Sequence, residues 1–184
     1  QTISKHNFIL IFSKFLFKAK DDETVSEIFS SILECLSLPN IQFDYVIKFL
    51  HIIGDYYIQN NEIGIEILPE KIIQIISDHI SEIIQYKDDS TTISIFYLIY
   101  LLTNNGIIFY YPVEEMYQII LNEKTNKKLR ELIVSMMAKS ITKCNEIEYS
   151  KLFITESIVD VIEFCFEYGS KKTQNDSIIF IESI

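Results

Sequence analysis

An all-helical chain built from repeated units is the fold class this sequence predicts, and three observations carry it. Apolar residues return with a period near 3.6 along almost the whole chain, as in Ile72, Ile73, Ile76, Ile80, Ile83 and Ile84, which share one broad helical stripe. Turn formers are scarce, with 4 Gly and 3 Pro in 184 residues, too few for a many-stranded β protein even though isoleucine alone supplies 37 positions. Residues suited to opening a helix return every 43 positions, at Pro69, Pro112 and Thr155.

The first helix is predicted over 5–19 and the second over 24–37, where Thr24-Val25-Ser26-Glu27 matches a capping box. A third follows over 41–58. Pro69 opens a helix over 69–86 and Pro112 another over 112–123, because proline at a first helical position gives up no hydrogen bond. Between them, Ser90 to Val113 holds no charged residue and is long enough for a membrane span of roughly 20 residues. Thr103-Asn104-Asn105-Gly106 in its middle and Pro112 near its end are turn chemistry, so the stretch reads as a helix over 91–104 and a loop into the next helix. Helices over 126–141 and 156–168 follow, the second closed by Gly169, and a last one begins near 175. Strict alternation occurs at Ile63-Gly64-Ile65-Glu66-Ile67, and so short a stretch between two helices reads as a loop rather than a sheet.

Charge and cysteine usage exclude several function classes. The net charge of −10, with Arg130 the single arginine, disfavours a protein that grips nucleic acid through its phosphates. A hydrophobic share of 48% is too high for a disordered tail. Cys35, Cys144 and Cys165 lie far apart among apolar helical neighbours, so they read as reduced core residues of a cytoplasmic or nuclear protein rather than a disulfide or zinc framework. No secretory leader is visible, because the short Phe8–Phe12 run is followed by Lys14, Lys18 and Lys20. The absent initiator Met and the abrupt end at Ile184 read as an excerpt of a longer array.

Laid on the 43-residue return, Ile73, Met116 and Val159 coincide, as do Ile76, Ile119 and Ile162. A period of 40 to 47 made only of helices is the signature of armadillo and HEAT arrays, in which each unit buries its apolar face on its neighbours. Leu50-His51-Ile52-Ile53-Gly54-Asp55 and Ile99-Tyr100-Leu101-Leu102-Thr103-Asn104 resemble the third helix of an armadillo repeat, most of all that of importin-alpha. The resemblance implies a right-handed α-α superhelix, an armadillo-like solenoid of about four repeats, as a single segment over 1–184 with units near 1–40, 41–86, 91–123 and 126–184. In that family a Trp and an Asn four residues apart line a concave groove, the Asn holding the main chain of an extended peptide and the Trp stacking Lys and Arg stems. Tyr100 and Asn104 take those places in one unit, and His51 and Asp55 in another. Side chains at i and i+4 share a face, an amide both donates to and accepts from a main chain, and a tyrosine ring stacks a cation, so the substitutions keep the chemistry. The chain has no Trp, and Leu132 to Ile141 offers no third rung. The plainer reading of the same residues makes Asn104-Asn105-Gly106 and Gly54-Asp55 ordinary helix exits and Tyr100 a half-buried aromatic.

No Gly-rich phosphate loop, Gly-x-Ser-x-Gly elbow or His-Glu-x-x-His pattern occurs. His51 with Asp55 and His79 with Asp78 and Glu82 read as surface pairs rather than as acid-base or metal centres. No enzyme activity, metal or cofactor is predicted. The acidic runs Asp21-Asp22-Glu23, Asp88-Asp89 and Glu114-Glu115 fall where helices start, which suits the helix dipole. The expected function is a scaffold whose groove binds a partner protein segment, with an importin-alpha-like adaptor for basic nuclear-localisation peptides as the alternative and a helical enzyme as a distant third. Adjoining repeats of the same chain are expected as neighbours, and neither nucleic acid nor membrane insertion is. End helices of such an excerpt should leave Phe8, Ile11, Phe12 and Phe15 uncovered on one side and Ile178, Ile179 and Ile181 on the other.

Overall fold

A computed structural model describes residues 5–37, 41–60, 68–144 and 146–184, and every regular element among them is an α-helix. In chain order these are α1 (Lys5–Leu16), α2 (Asp22–Leu36), α3 (Phe43–Gln59), α4 (Glu70–Asp78), α5 (Ile80–Ile84), α6 (Asp89–Asn104), α7 (Val113–Leu121), α8 (Lys127–Lys143), α9 (Ile147–Lys151), α10 (Ile158–Tyr168) and α11 (Lys171–Ser183). The alternating stretch Ile63–Ile67 and the Gly64-Ile65 turn lie outside the described residues. So does the Phe8 side chain.

The sequence explains most of the helix ends, and the departures have local causes. Asp21, not Thr24, caps α2: its carboxylate accepts from the Thr24 backbone N–H at 2.8 Å, so the helix starts upstream of the expected capping box. Asp88 does the same for α6 through Thr91 and brings its start forward to Asp89. Pro69 and Pro112 sit one position before their helices, as N-caps rather than first residues. The helix expected over 69–86 breaks at His79, whose backbone leaves the helical region and whose N–H is shared between the Ile75 and Ile76 carbonyls. The return at Thr155 opens no helix directly; α10 begins at Ile158 with Ser157 as its cap, and the short α9 precedes it. The last helix starts at Lys171, because Ser170 caps it by accepting from Thr173 N–H. The exit of α6 is as expected, with Asn105 Nδ2 donating to the Leu101 carbonyl at 2.9 Å and Gly106 at φ +92°.

The long helices α3, α6, α8 and α11 form a row, each packed along the next. They all run the same way. Asp55 of α3 meets Ser94 of α6 while His51, a turn earlier, lies near Asp88. Asp89 of α6 accepts from the Asn126 N–H at the start of α8, and near the other end Thr103 and Ser140 both meet the Tyr111 hydroxyl. Glu131 of α8 accepts from Ser170 N–H and Ser135 bonds Asp176 of α11. In each pair the residue numbers rise together, so the neighbours are parallel. Parallel neighbours need crossovers, and the shorter α4, α7 and α10 supply them; α7 and α10 also pack on each other as a second row.

Aromatic residues fill the space between the rows. Phe96, Phe109, Tyr117, Tyr149 and Phe153 are fully buried, which disperses the hydrophobic stabilisation over both rows. Two of them lace the connections together: Tyr117 donates to the Phe153 carbonyl at 2.6 Å, and Tyr149 donates to the Phe109 carbonyl at 2.8 Å. Burial pushes the Tyr111 hydroxyl up to about 12 and raises those of Tyr117 and Tyr149 as well, so all three remain neutral; Tyr117 and Tyr149 donate, while Tyr111 accepts from the Ser140 hydroxyl.

The two ends of the molecule are apolar. Aligned on their caps Asn126 and Ser170, α8 and α11 bury the same inward positions, Leu129 with Thr173, Ile133 with Ser177 and Met136 with Phe180. The positions that α8 covers with α11, Val134 and Met137, correspond to Ile178 and Ile181, which are 41% and 42% exposed. Ile179 is exposed too, and at the other end so are Ile11 and Phe15, while Phe12 is partly covered.

Candidate protein-binding face

The row of parallel helices presents one side to solvent, opposite the second row. On α3 that side carries Lys48 and Asp55, on α6 Tyr97, Tyr100, Leu101 and Asn104, on α8 Lys128, Leu132, Lys139 and Lys143, and on α11 Lys172 and Ile179, each set falling on one helical face. None of these residues belongs to the buried class.

His51 and Asp55 form a partly exposed pair, with Nε2 3.5 Å from the carboxylate. The other Asp55 oxygen accepts from the Ser94 hydroxyl, which is buried between α3 and α6. Serine, aspartate and histidine thus meet, but the carboxylate stands in the middle, and the imidazole does not touch the serine proton. This is the reverse of the order that activates a serine nucleophile. The cluster instead ties α3 to α6 at their closest approach, where a side chain on Gly54 would lie 2.2 Å from the Ser94 carbonyl oxygen. Gly54-Asp55 is therefore no helix exit: α3 continues to Gln59.

Tyr100 is half-buried and Asn104 exposed, while Ile99 and Leu102 beside them are buried. The structure does not bring this pair next to His51 and Asp55. Asp55 is level with Ser94, and Tyr100 and Asn104 lie further along α6, about 9 and 15 Å beyond that level at 1.5 Å per residue. Asn104 makes no side-chain hydrogen bond within its own helix end, a role taken by Asn105. Tyr100 instead meets the far side of α8: the Lys172 ammonium of α11 sits 5.6 Å from its ring centroid, and Tyr97 lies 6.4 Å from it on α6. With neighbouring helix axes about 8–10 Å apart, two side chains that meet across an intervening helix must lean toward each other over it.

The remaining cations of this region divide into two groups. Arg130 turns away from the face and stacks 5.0 Å over Phe164 of α10, and Lys127 lies 4.0 Å from Glu131. Lys128, Lys139, Lys143 and Lys172 have no carboxylate within 4.0 Å among the described residues. At the opposite corner, where α3 and α6 begin, an open recess is lined by Phe43, Asp44, Glu82, Tyr86 and Asp88, with Gln85 and the single cation Lys87 among them. The Thr91 hydroxyl and N–H, with a smaller contribution from His51, hold the Asp88 carboxyl below its ordinary range, so that corner stays anionic. His79 lies 3.7 Å from Glu82, outside hydrogen-bond reach, and 5.4 Å from the Phe43 ring. No group of three or more metal-ligating side chains occurs among the described residues.

Sequence reasoning missed the lysines. The signal was present: α8 holds five cations and one carboxylate in a chain of net charge −10, and Lys128, Leu132, Lys139 and Lys143 share one helical face. No helix among the described residues is long and apolar enough to cross a membrane, and the uncharged stretch from Ser90 resolves into α6, a connection and the start of α7. No protein-family model matches the chain, and neither does any curated protein or solved structure.

Proposed function

We propose that the chain is a protein-binding helical scaffold, a right-handed superhelix of armadillo-like units whose solvent-facing inner row takes up a segment of a partner protein. The observation that carries this reading is the row α3, α6, α8, α11: parallel helices joined by crossovers line up side chains of the same face at regular spacing. The approach of Tyr100 and Lys172 over α8 supports a face that curves inward. Apolar end faces at Ile178 and Ile181 and at Ile11 and Phe15 suit docking of further helical units of the same array. The free cysteines Cys35, Cys144 and Cys165 suit a reducing cytoplasmic or nuclear setting.

A second reading keeps the adaptor for basic nuclear-localisation peptides, and the recess of Asp44, Glu82 and Asp88 beside Phe43 and Tyr86 favours it, since carboxylates around aromatic faces suit a Lys or Arg stem. Selection of binders from a random peptide library, followed by titration against variants, tests both. Asn104→Ala should weaken selected peptides by about 1–3 kcal/mol where the amide pairs with their main chain, and Tyr100→Ala should weaken them through lost contact area. Basic peptides sensitive to Asp44→Asn or Asp88→Asn would favour the adaptor. Peptides that bind indifferently to Tyr97, Tyr100 and Asn104 would overturn the inner-face scaffold.

A further inference from the structure

The charge of this molecule is sorted by row. The crossovers and connections carry most of the acidic groups, with Glu114 and Glu115 on α7, Glu146 and Glu148 at α9, and Asp160, Glu163 and Glu167 on α10, while on the inner row Asp55 and Asp176 are each bonded to a serine of the neighbouring helix. The inner row turns basic at its α8–α11 half, where Lys128, Lys139, Lys143 and Lys172 face solvent without carboxylate partners among the described residues. Most described helices carry an acidic residue in the first turn, which the helix dipole favours; α1, α8 and α11 carry none there, and α8 and α11 open with the lysine pairs Lys127-Lys128 and Lys171-Lys172. Because α8 and α11 are parallel, these two ends lie side by side, and Glu131 and Ser170 join them. Cations at the positive ends of two adjacent helices repel the local field, so the arrangement costs stability that a bound anion would restore.

We infer that the α8–α11 half of the inner face recognises an acidic peptide segment, with clustered Asp or Glu side chains around an apolar residue; this rests on the scaffold reading above. From Lys128 to Lys143 the face runs about 22 Å along α8, the length of an extended segment of about seven residues. Leu132, Ile179 and Tyr100 supply apolar surface among the lysines, so peptides that alternate acidic and apolar residues match it better than a uniform polyanion does. Nucleic acid fits less well. The single arginine is engaged on Phe164, and the surrounding rows are acidic, which repels a polyanion longer than the patch. A basic peptide would meet unpaired lysines of its own sign.

The test uses the chain as it stands, with a labelled peptide of alternating Glu and Leu, the same peptide with Lys for Glu, an uncharged version and a single-stranded oligonucleotide. The acidic peptide should bind most tightly and weaken as salt is raised. Lys128→Glu with Lys172→Glu should weaken it at least about tenfold, whereas Lys71→Glu with Lys151→Glu, which makes the same charge change away from the face, should leave it within about twofold. Lys128 and Lys172 are exposed and glutamate is favoured at a helix start, so their double variant should keep its circular dichroism and unfolding midpoint. Equal or tighter binding of the basic peptide to a chain that carries Asp44→Asn and Asp88→Asn, an acidic affinity indifferent to the double lysine substitution, or preference for the oligonucleotide would each overturn the inference. Binders from the random library that depend on Tyr100 but carry no excess of acid would overturn it too and leave the scaffold reading standing. Binders that ignore the inner face altogether would remove both.

Discussion

Gly54 shows how one residue sets the distance between two helices. Glycine inside a helix costs about 1 kcal/mol relative to alanine, so Gly54→Ala would stabilise α3 if nothing opposed it. A methyl group there would lie 2.2 Å from the Ser94 carbonyl oxygen, and backbone cannot rotate aside as a side chain can. Separating α3 from α6 forfeits packing and loosens the Asp55–Ser94 hydrogen bond, and overpacking against backbone at this distance falls in the upper part of the usual range, about 2–3 kcal/mol. We therefore expect Gly54→Ala to lower stability by about 1–2 kcal/mol net, measured by urea unfolding. Unchanged or increased stability would show that the helices can part without cost. The same residue marks a limit of sequence reading. Gly54-Asp55 has the composition of a helix exit, and only the neighbouring helix, distant in sequence, reveals that the glycine serves close approach.

Among the elements, helix caps link sequence to pH response. Asp88 accepts from the Thr91 hydroxyl and from the Thr91 N–H, and this holds its carboxyl below the ordinary aspartate value of 3.8. A depressed folded value means the contribution is present above the unfolded value and is lost as pH falls through the folded one. Asp88→Ala should lower stability by about 1 kcal/mol at neutral pH, and the gap to wild type should close below about pH 4. Thermal unfolding of both proteins across that range checks it, and a gap independent of pH would assign the loss to something other than the carboxylate. Element existence was legible because period and caps are local: the helices starting near Phe43, Val113 and Lys127 follow from apolar spacing alone. The break at His79, the early start of α2 at Asp22 and the short α9 were not, because each depends on which of several adjacent caps or turns tertiary packing selects. Of the four expected site residues, their exposure could be anticipated from helical spacing, but their mutual placement could not. The stagger of α3 against α6, set by Gly54 and Ser94, separates the pairs along the row.

Matching positions on two successive helices give the molecule as a whole a testable asymmetry. Met137 and Ile181 hold the same place on successive helices of the row, yet the first is 2% exposed beneath α11 and the second 42% exposed. Lysine at Met137 would bury a charge, and Met137→Lys should cost about 4 kcal/mol or more. Ile181→Lys should change stability by no more than about 0.5 kcal/mol and reduce light scattering at high concentration by breaking the apolar end. Equal destabilisation by the two substitutions would show that the α11 face is covered in solution.

The paired tyrosines across the connections bear on how the molecule breathes. Tyr117 of α7 reaches forward to Phe153 and Tyr149 of α9 reaches back to Phe109, so the connection around α9 is tied both to α7 and to the connection that precedes α7. The backbone amides of the two connections should then exchange with heavy water in a single opening event, at a common free energy, well after those of α1 at the edge of the row. Tyr149→Phe should quicken exchange in both connections together, although the hydroxyl it removes touches only one. Faster exchange confined to residues 107–112 would mean that the two clasps open independently, and that the middle of the chain is two small cooperative units rather than one.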